Sequence, residues 1–347
     1  MRPPAPATRA LAACTALVLA LAGCGAPGED DGPSVTLGYF PALAHAPALV
    51  GVETGAYADA LGEGVAFDTR VFNAGPDAIN AVFSGEVDVA LVGPNPAVNG
   101  WAQSEGQALH IIAGAASGGA GLVTAEGIED VDDLRGGTVA SPQLGNTQDV
   151  ALRWFARERG WDTDAAGGGE LSILPQTPAE IVNALELGEI DGAWVPEPHL
   201  SRLLTETGAH LLVDEADTWS GGAFVTAHLV AGTAFLQDHP DLAEDLLRGH
   251  IDTVDWINGH PEQARAAVDD HLEAITGSRL SPEVTEAAFG RIDFTVDPVA
   301  PSLYTGAERA EAVGLLDPVD LTGIYALDTL NALLAEDGRD PVSVLEG

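Results

Sequence analysis

From residue 34 onward the chain alternates between two hydrophobic patterns. Short, mostly apolar runs at 35–40, 65–71, 87–92 and 109–113 read as buried strands. The segments between them, 44–54, 77–83 and 97–103, place their apolar residues on one face of a helix. This alternation predicts an α/β fold built on a mainly parallel sheet. Helices on both faces explain why the strand runs are mostly apolar and not only at every second residue. The rhythm then repeats, with strands at 122–124, 138–140, 171–174, 190–195 and 211–213 and helices from Asn146 and over 181–187. A strand at 223–230 returns to the first sheet, and helices over 240–256, 262–272 and 321–334 close the chain. Glycine-rich 114–121 and the pair Gly221-Gly222 separate the blocks. The expected organisation is therefore one lobe over 35–116, a second over 117–221, and a return with C-terminal helices over 222–347.

An internal echo supports two lobes. Residues 80–88, NAVFSGEVD, recur as 183–191, NALELGEID, and each copy runs on into a proline-rich loop, Gly93–Pro96 and Pro196–Pro198. The glycine can be a helix C-cap and the acidic turn a strand start, but the repeat places the same unit in the middle of each lobe.

The first residues have another character. Arg2 and Arg9 precede an apolar, small-residue run over 10–22, followed by Leu21-Ala22-Gly23-Cys24. The run has the length of a signal-peptide core and is too short to span a membrane. The last four residues resemble the bacterial lipobox, which implies a signal peptide over 1–23 and a lipid on Cys24. Cys14 lies in the removed part, so a mature chain holds one cysteine and no internal disulfide. Residues 24–34 then read as a flexible acidic tether.

Charge narrows the partners. There are 53 Asp and Glu against 14 basic residues, all arginine, for a formal net charge of −39. Such a surface repels nucleic acid and anionic lipid heads. The absence of lysine excludes a Schiff base and a Walker-type phosphate loop, and there is no Gly-x-Ser-x-Gly, His-Glu-x-x-His or Cys/His ligand pair. Neither a cofactor nor a metal is expected.

Ligands of open α/β sheets sit beyond the carboxyl ends of the strands. Here those ends are 39–47, 73–77, 93–96, 117–119, 141–148 and 194–199, and none contains arginine. Several open a helix, whose unpaired N–H groups would supply the positive end for a small anion. Residues 138–155 are the strongest case: a strand, a loop with Gly145, then Asn146 as N-cap with Asp149 three residues on as a loose capping box. Asp77 reads as an N-cap or a ligand contact, and so does His45. Trp194 reads as core or as a pocket wall. Glu197, between two prolines, faces solvent or accepts a ligand ammonium group. Trp101, Trp154, Trp161 and Trp256 read as packing.

The segments VTLGYFPALAHAPALVGVETGAY, FNAGPDAINAVFSGEVDVALVGPNPAV, EDVDDLRGGTVASPQLGNTQDVALR and LGEIDGAWVPEPHLSRLL, in this order, resemble the substrate-binding lipoproteins of bacterial ABC importers of the nitrate/sulfonate/taurine group. The resemblance covers roughly residues 35–246. It implies a two-lobed periplasmic-binding-protein-like fold of type II. By position it implies ligand contacts at Tyr39, Phe40 and His45, at Gly75, Pro76 and Asp77, at Asn95, and at Asn146, Thr147 and Gln148. Ser117, Trp194 and Glu197 complete the candidate set from the strand-end loops. Members of the group often carry Trp-Asp-Pro where this chain has Pro196-Glu197-Pro198 after Trp194, which keeps the acid and changes its reach. The implied function is capture of a small anionic or zwitterionic solute outside the membrane, an alkylsulfonate or taurine-like compound first. Delivery is to a permease with its ATPase, by a monomeric, lipid-anchored, non-enzymatic receptor. Nitrate or bicarbonate, a vitamin-precursor heterocycle, and an enzyme on the same fold of the pyrimidine synthase or dehydratase type are the alternatives.

Overall fold

The computed structural model describes residues 32–164 and 166–344. The leader, Cys24 and the tether as far as Asp31 lie outside the described residues. The chain begins with β1 (Ser34–Tyr39), α1 (Ala46–Glu53), α2 (Ala56–Leu61), β2 (Ala66–Val71), α3 (Gly75–Ser84), β3 (Val89–Val92), α4 (Pro94–Gln103) and β4 (Leu109–Gly118). A second series follows: β5 (Ala120–Thr124), β6 (Thr138–Pro142), α5 (Thr147–Glu158), β7 (Ser172–Gln176), α6 (Pro178–Glu186), β8 (Gly192–Pro196), α7 (His199–Glu206) and β9 (His210–Asp214). The return comprises β10 (Val225–Gly232), α8 (Thr233–Asp238), α9 (Pro240–Gly259), α10 (Pro261–Thr276), α11 (Pro282–Phe289), β11 (Ile292–Phe294), α12 (Ala300–Ala312) and α13 (Asp328–Glu336).

These strands form two sheets, in the orders β11-β4-β10-β3-β1-β2 and β7-β6-β8-β5-β9. The chain passes from the first sheet to the second at Gly119 and returns between Asp214 and Val225. Both sheets are mixed. The strand that follows each crossing, β5 or β10, enters antiparallel to its neighbours, while β1, β2 and β3, and β6, β7 and β8, pair parallel. Period-two alternation divides each strand between two cores. In β3, Val89 and Leu91 enter one apolar cluster, and Ala90 and Val92 enter the cluster on the opposite face. In β8, Ala193 and Val195 face one side and Trp194 the other. Double coverage is the physical reason for the apolar runs of β3 and β8; β2, at the sheet edge, is mostly exposed and not the buried strand expected at 65–71.

The internal echo has a structural cause. Asp88 accepts the Thr36 amide at 2.8 Å, and Asp191 accepts the Thr138 amide at 2.7 Å. Each aspartate thus staples its own strand to the start of the neighbouring parallel strand. Gly85 (φ 69°) and Gly188 (φ 68°) end the preceding helices in the left-handed region that glycine adopts without strain. The Glu86 and Glu189 amides then close back on Ala81 and Ala184.

The expected elements differ from the structure at the last helix and at the end of β4, among other places. Helix α13 begins at Asp328, not at residue 321, because 321–327 runs irregularly across the sheet, with Ile111 and Tyr325 bridged. Strand β4 continues through the Gly-Ala-Ala-Ser run to Gly118, held between β10 and β11. A β-carbon at Gly114 would lie 2.1 Å from the Asp297 carbonyl oxygen, so glycine there serves close packing within the strand.

Candidate functional site

The two lobes enclose a cavity of about 810 Å³. Its wall is built mainly from helix starts: those of α1, α3, α4 and α11 in the first lobe and of α5, α6 and α7 in the second. A helix start carries unpaired amides and the positive end of the dipole. Most of these starts have lost one donor. Proline stands in the first turn of α1, α3, α4, α6 and α11. On α7, Glu197 takes the Ser201 amide at 2.9 Å. Helix α5 alone among these seven has neither a first-turn proline nor a side-chain cap.

The start of α5 departs from the expected capping box. Asn146 does not cap; its Nδ2 donates to Gln143 Oε1 at 3.4 Å. Asp149 reaches one residue further back than a capping box would, accepting the Gly145 amide at 3.0 Å and the Ser141 hydroxyl at 2.7 Å. Arg153, one turn on, donates to Asp149 at 3.0 Å and to the Asp164 carbonyl at 2.7 Å, with both charged side chains buried. This pair cancels the only carboxylate of the first turn. The Thr147 and Gln148 amides have no partner among the described residues, and both residues line the cavity.

His45 stands at the corresponding place in the first lobe. Its Nδ1 accepts the Phe40 amide at 3.2 Å, which puts the ring proton on Nε2. Burial pulls its pKa down to about 3. His45 is therefore a neutral donor at physiological pH. The Phe40 ring meets it edge-on at 4.6 Å, and Phe40 and Phe72 form an aromatic wall beside it. The lobes touch close to this point: a β-carbon on Gly93 would lie 2.8 Å from Thr147 Oγ1.

Of the residues expected from sequence, Phe40, His45, Gly75, Asn146, Thr147, Gln148 and Glu197 line the cavity. The other six stand elsewhere. Tyr39 is buried and bonded at its hydroxyl to His271 Nε2 at 2.8 Å, and Nδ1 of the same ring lies 3.1 Å from Glu53. Pro76 and Asp77 are exposed on α3, whose N-cap is Ala74. Asn95 is buried in the first turn of α4, and Ser117 in β4 between β10 and β11. Trp194 is fully buried, gives its indole N–H to Glu215 at 2.7 Å and packs on Phe155, because its position in β8 points into the core and not toward the strand end.

The structure adds residues that the sequence reading passed over. Thr177, Pro178 and Ala179 at the start of α6 line the cavity, as does Thr226 of β10. Thr177 and Glu180 form a capping box whose Ser/Thr-x-x-Glu spacing was visible in the sequence. The turn between α10 and α11 contributes Arg279 and Ser281, and α7 contributes Arg202. The strand-end loops are free of arginine, as read, but the cavity is not. Both guanidinium groups are held by carboxylates on the same lobe, Arg202 by Glu206 and Arg279 by Asp270 and Glu273. Among the described residues there is no cluster of three or more His, Cys, Asp or Glu able to hold a metal ion.

The decisive comparison is with known families: the family model of the NMT1-like family matches residues 28–270. The chain belongs to the NMT1-like family. Its relatives include the taurine-binding periplasmic protein of Escherichia coli K12, 26% identical over 199 residues, 57% of this chain and 60% of that one. The chain thus matches 60% of the length of such curated relatives. Among solved structures, the aliphatic sulphonate binding protein SsuA of Escherichia coli superposes with a TM-score of 0.68 at 19% identity, covering 84% of this chain and 97% of that one. The nitrate-binding protein NrtA of Synechocystis PCC 6803 gives 0.69 at 13% identity, covering 88% and 86%. This NMT1-like chain therefore has the periplasmic-binding-protein fold, with two mixed sheets flanked by helices.

Proposed function

We propose that this NMT1-like protein is the solute-binding component of an ABC importer. It captures a small organic anion, an alkylsulfonate or taurine-like compound, outside the membrane and delivers it to the permease. A lipid on Cys24 tethers it to the extracytoplasmic face. The observation that carries this reading is the start of α5: two residues that line the cavity have unpartnered amides, beside a carboxylate already paired with Arg153. Neutral N–H donors at a helix start suit a compact anionic head. The neutral Nε2–H of His45 adds a donor from the facing lobe. A cavity of about 810 Å³ with phenylalanine and proline walls suits an organic body better than nitrate. The taurine- and sulphonate-binding relatives agree with that choice. Closure of the lobes about Gly118-Gly119 and Gly221-Gly222 would bury the ligand, and the closed form would dock on the permease.

A thermal-shift panel of alkylsulfonates, taurine, nitrate, bicarbonate and a vitamin-precursor heterocycle tests the reading. Alkylsulfonates or taurine at millimolar concentration should raise the melting temperature. A shift with nitrate or bicarbonate alone would reassign the site to an inorganic anion. No shift with any sulfonate would contradict the proposal.

A further inference from the structure

Two carboxylates line the cavity among the described residues. Glu206 is exposed and paired with Arg202 on its own helix. Glu197 is different, with only 1% of its surface exposed. Its Oε2 accepts the Ser201 amide at 2.9 Å and its Oε1 the Ser201 hydroxyl at 2.8 Å. The remaining contact comes from the other lobe, where Arg291 Nε stands 3.6 Å from Oε1. Arg291 immediately precedes β11, the edge strand of the first sheet, beside Gly118. Its Nη1 also lies 3.9 Å from Asp214, the last residue of β9. One guanidinium group thus spans both chain crossings. Glu197 is fixed at the first by its amide bond to the Gly119 carbonyl at 2.8 Å, and Asp214 opens the second.

We propose that Arg291 is the interlobe counter-ion of Glu197 and so a specificity-determining residue, fitting the cleft to ligands whose only charge is anionic and turning away those with an added ammonium group. The inference rests on the cleft being an organic-anion site and narrows its ligand to plain sulfonates over aminosulfonates. A ligand ammonium would have to displace Arg291 from a carboxylate already holding two Ser201 hydrogen bonds. A plain anion meets a compensated pair and not a bare buried negative charge. Burial pushes the Glu197 carboxyl above the ordinary carboxylate range, and the Ser201 amide and hydroxyl, then Arg291, pull it partly back.

The test combines a ligand-free and a ligand-bound measurement on the whole chain. Melting temperatures of wild type, Arg291→Met, Glu197→Gln and the double variant form a cycle. Arg291→Met should lower the melting temperature by a few degrees when Glu197 is present and by clearly less in the Glu197→Gln background, where only the 3.9 Å contact with Asp214 is lost. Calorimetric titration then uses ethanesulfonate and taurine, which differ by the amine. Wild type should prefer ethanesulfonate. Arg291→Met should move the ratio by about tenfold toward taurine, and Arg291→Lys should restore it. Additive melting temperatures would overturn the counter-ion assignment whether or not a sulfonate binds. A wild-type preference for taurine would overturn it as well. Coupled melting temperatures with no sulfonate bound would refute the proposed function and leave Arg291 as the counter-ion of Glu197.

Discussion

Asp149 shows how one residue decides the character of the cleft. Placed three residues after Asn146, it has the spacing of a capping box, and such a box would have put a carboxylate on the helix start. Instead it bonds the Ser141 hydroxyl, the Gly145 amide and Arg153. The loop between β6 and α5 is thereby drawn tight, and the Thr147 and Gln148 amides are left without a partner among the described residues. Arg153 and Asp149 are both buried, so removal of one strands the other. Asp149→Ala is expected to destabilise the protein by about 3–5 kcal/mol, and Asp149→Ala with Arg153→Met by clearly less. Chemical denaturation of both single variants and the double variant checks this; additive losses would mean that the pair is not coupled. The sequence could not show the outcome, because the spacing of Asp149 is the same for either partner and Arg153 reads equally well as a surface residue.

At the scale of elements, the βα alternation, the two crossings and the repeat were legible because each rests on a local signal: an apolar run, a glycine pair, a helix stop. The lining of the cavity was legible where it depends on local chain order, as at His45 and at Asn146, Thr147 and Gln148. It was not where packing of distant elements decides, and Arg279 reaches the cavity only because the turn between α10 and α11 folds back over the first lobe. Trp194 was ambiguous for a related reason. A strand end can point either way, and the alternation of β8 places Trp194 opposite Ala193 and Val195. The point where the elements of the two lobes touch invites a test. Gly93 has ordinary backbone angles, φ −67° and ψ 161°, so alanine fits there without strain. Its β-carbon would press on Thr147 Oγ1 at 2.8 Å and displace the start of α5. Gly93→Ala should lower ligand affinity by about tenfold with little change in melting temperature; unchanged affinity would show that the contact does not set the site.

For the whole molecule, two features with opposite responses to acid meet. Burial holds His45 near 3 and His199, His228 and His250 near 4, below the ordinary histidine value. These neutral rings contribute stability that is complete above about pH 6.5 and is lost as pH falls through their folded values. Glu215 has the other sign: burial raises it to about 7, so its contribution is present at low pH and is lost as pH rises toward 7. Burial raises Asp88, Glu197 and Asp269 as well, by smaller shifts; the four histidines carry the larger ones, and stability should fall between about pH 6 and pH 4. Melting curves in molar salt, which screens the repulsion of a −39 surface, would show it; a melting temperature constant over that range would contradict the neutral burial of the histidines. The central claim, that the amides of α5 hold the anion, has a direct test. Thr147→Pro removes one amide at a helix position that tolerates proline, and Thr147→Val keeps the amide but removes the hydroxyl. A hydrogen bond to a charged head is worth about 1.5–3 kcal/mol. In calorimetric titration with the sulfonate that binds wild type best, Thr147→Pro should bind about tenfold to a hundredfold more weakly, and Thr147→Val should stay near wild type. Wild-type affinity in a normally folded Thr147→Pro protein would contradict the account.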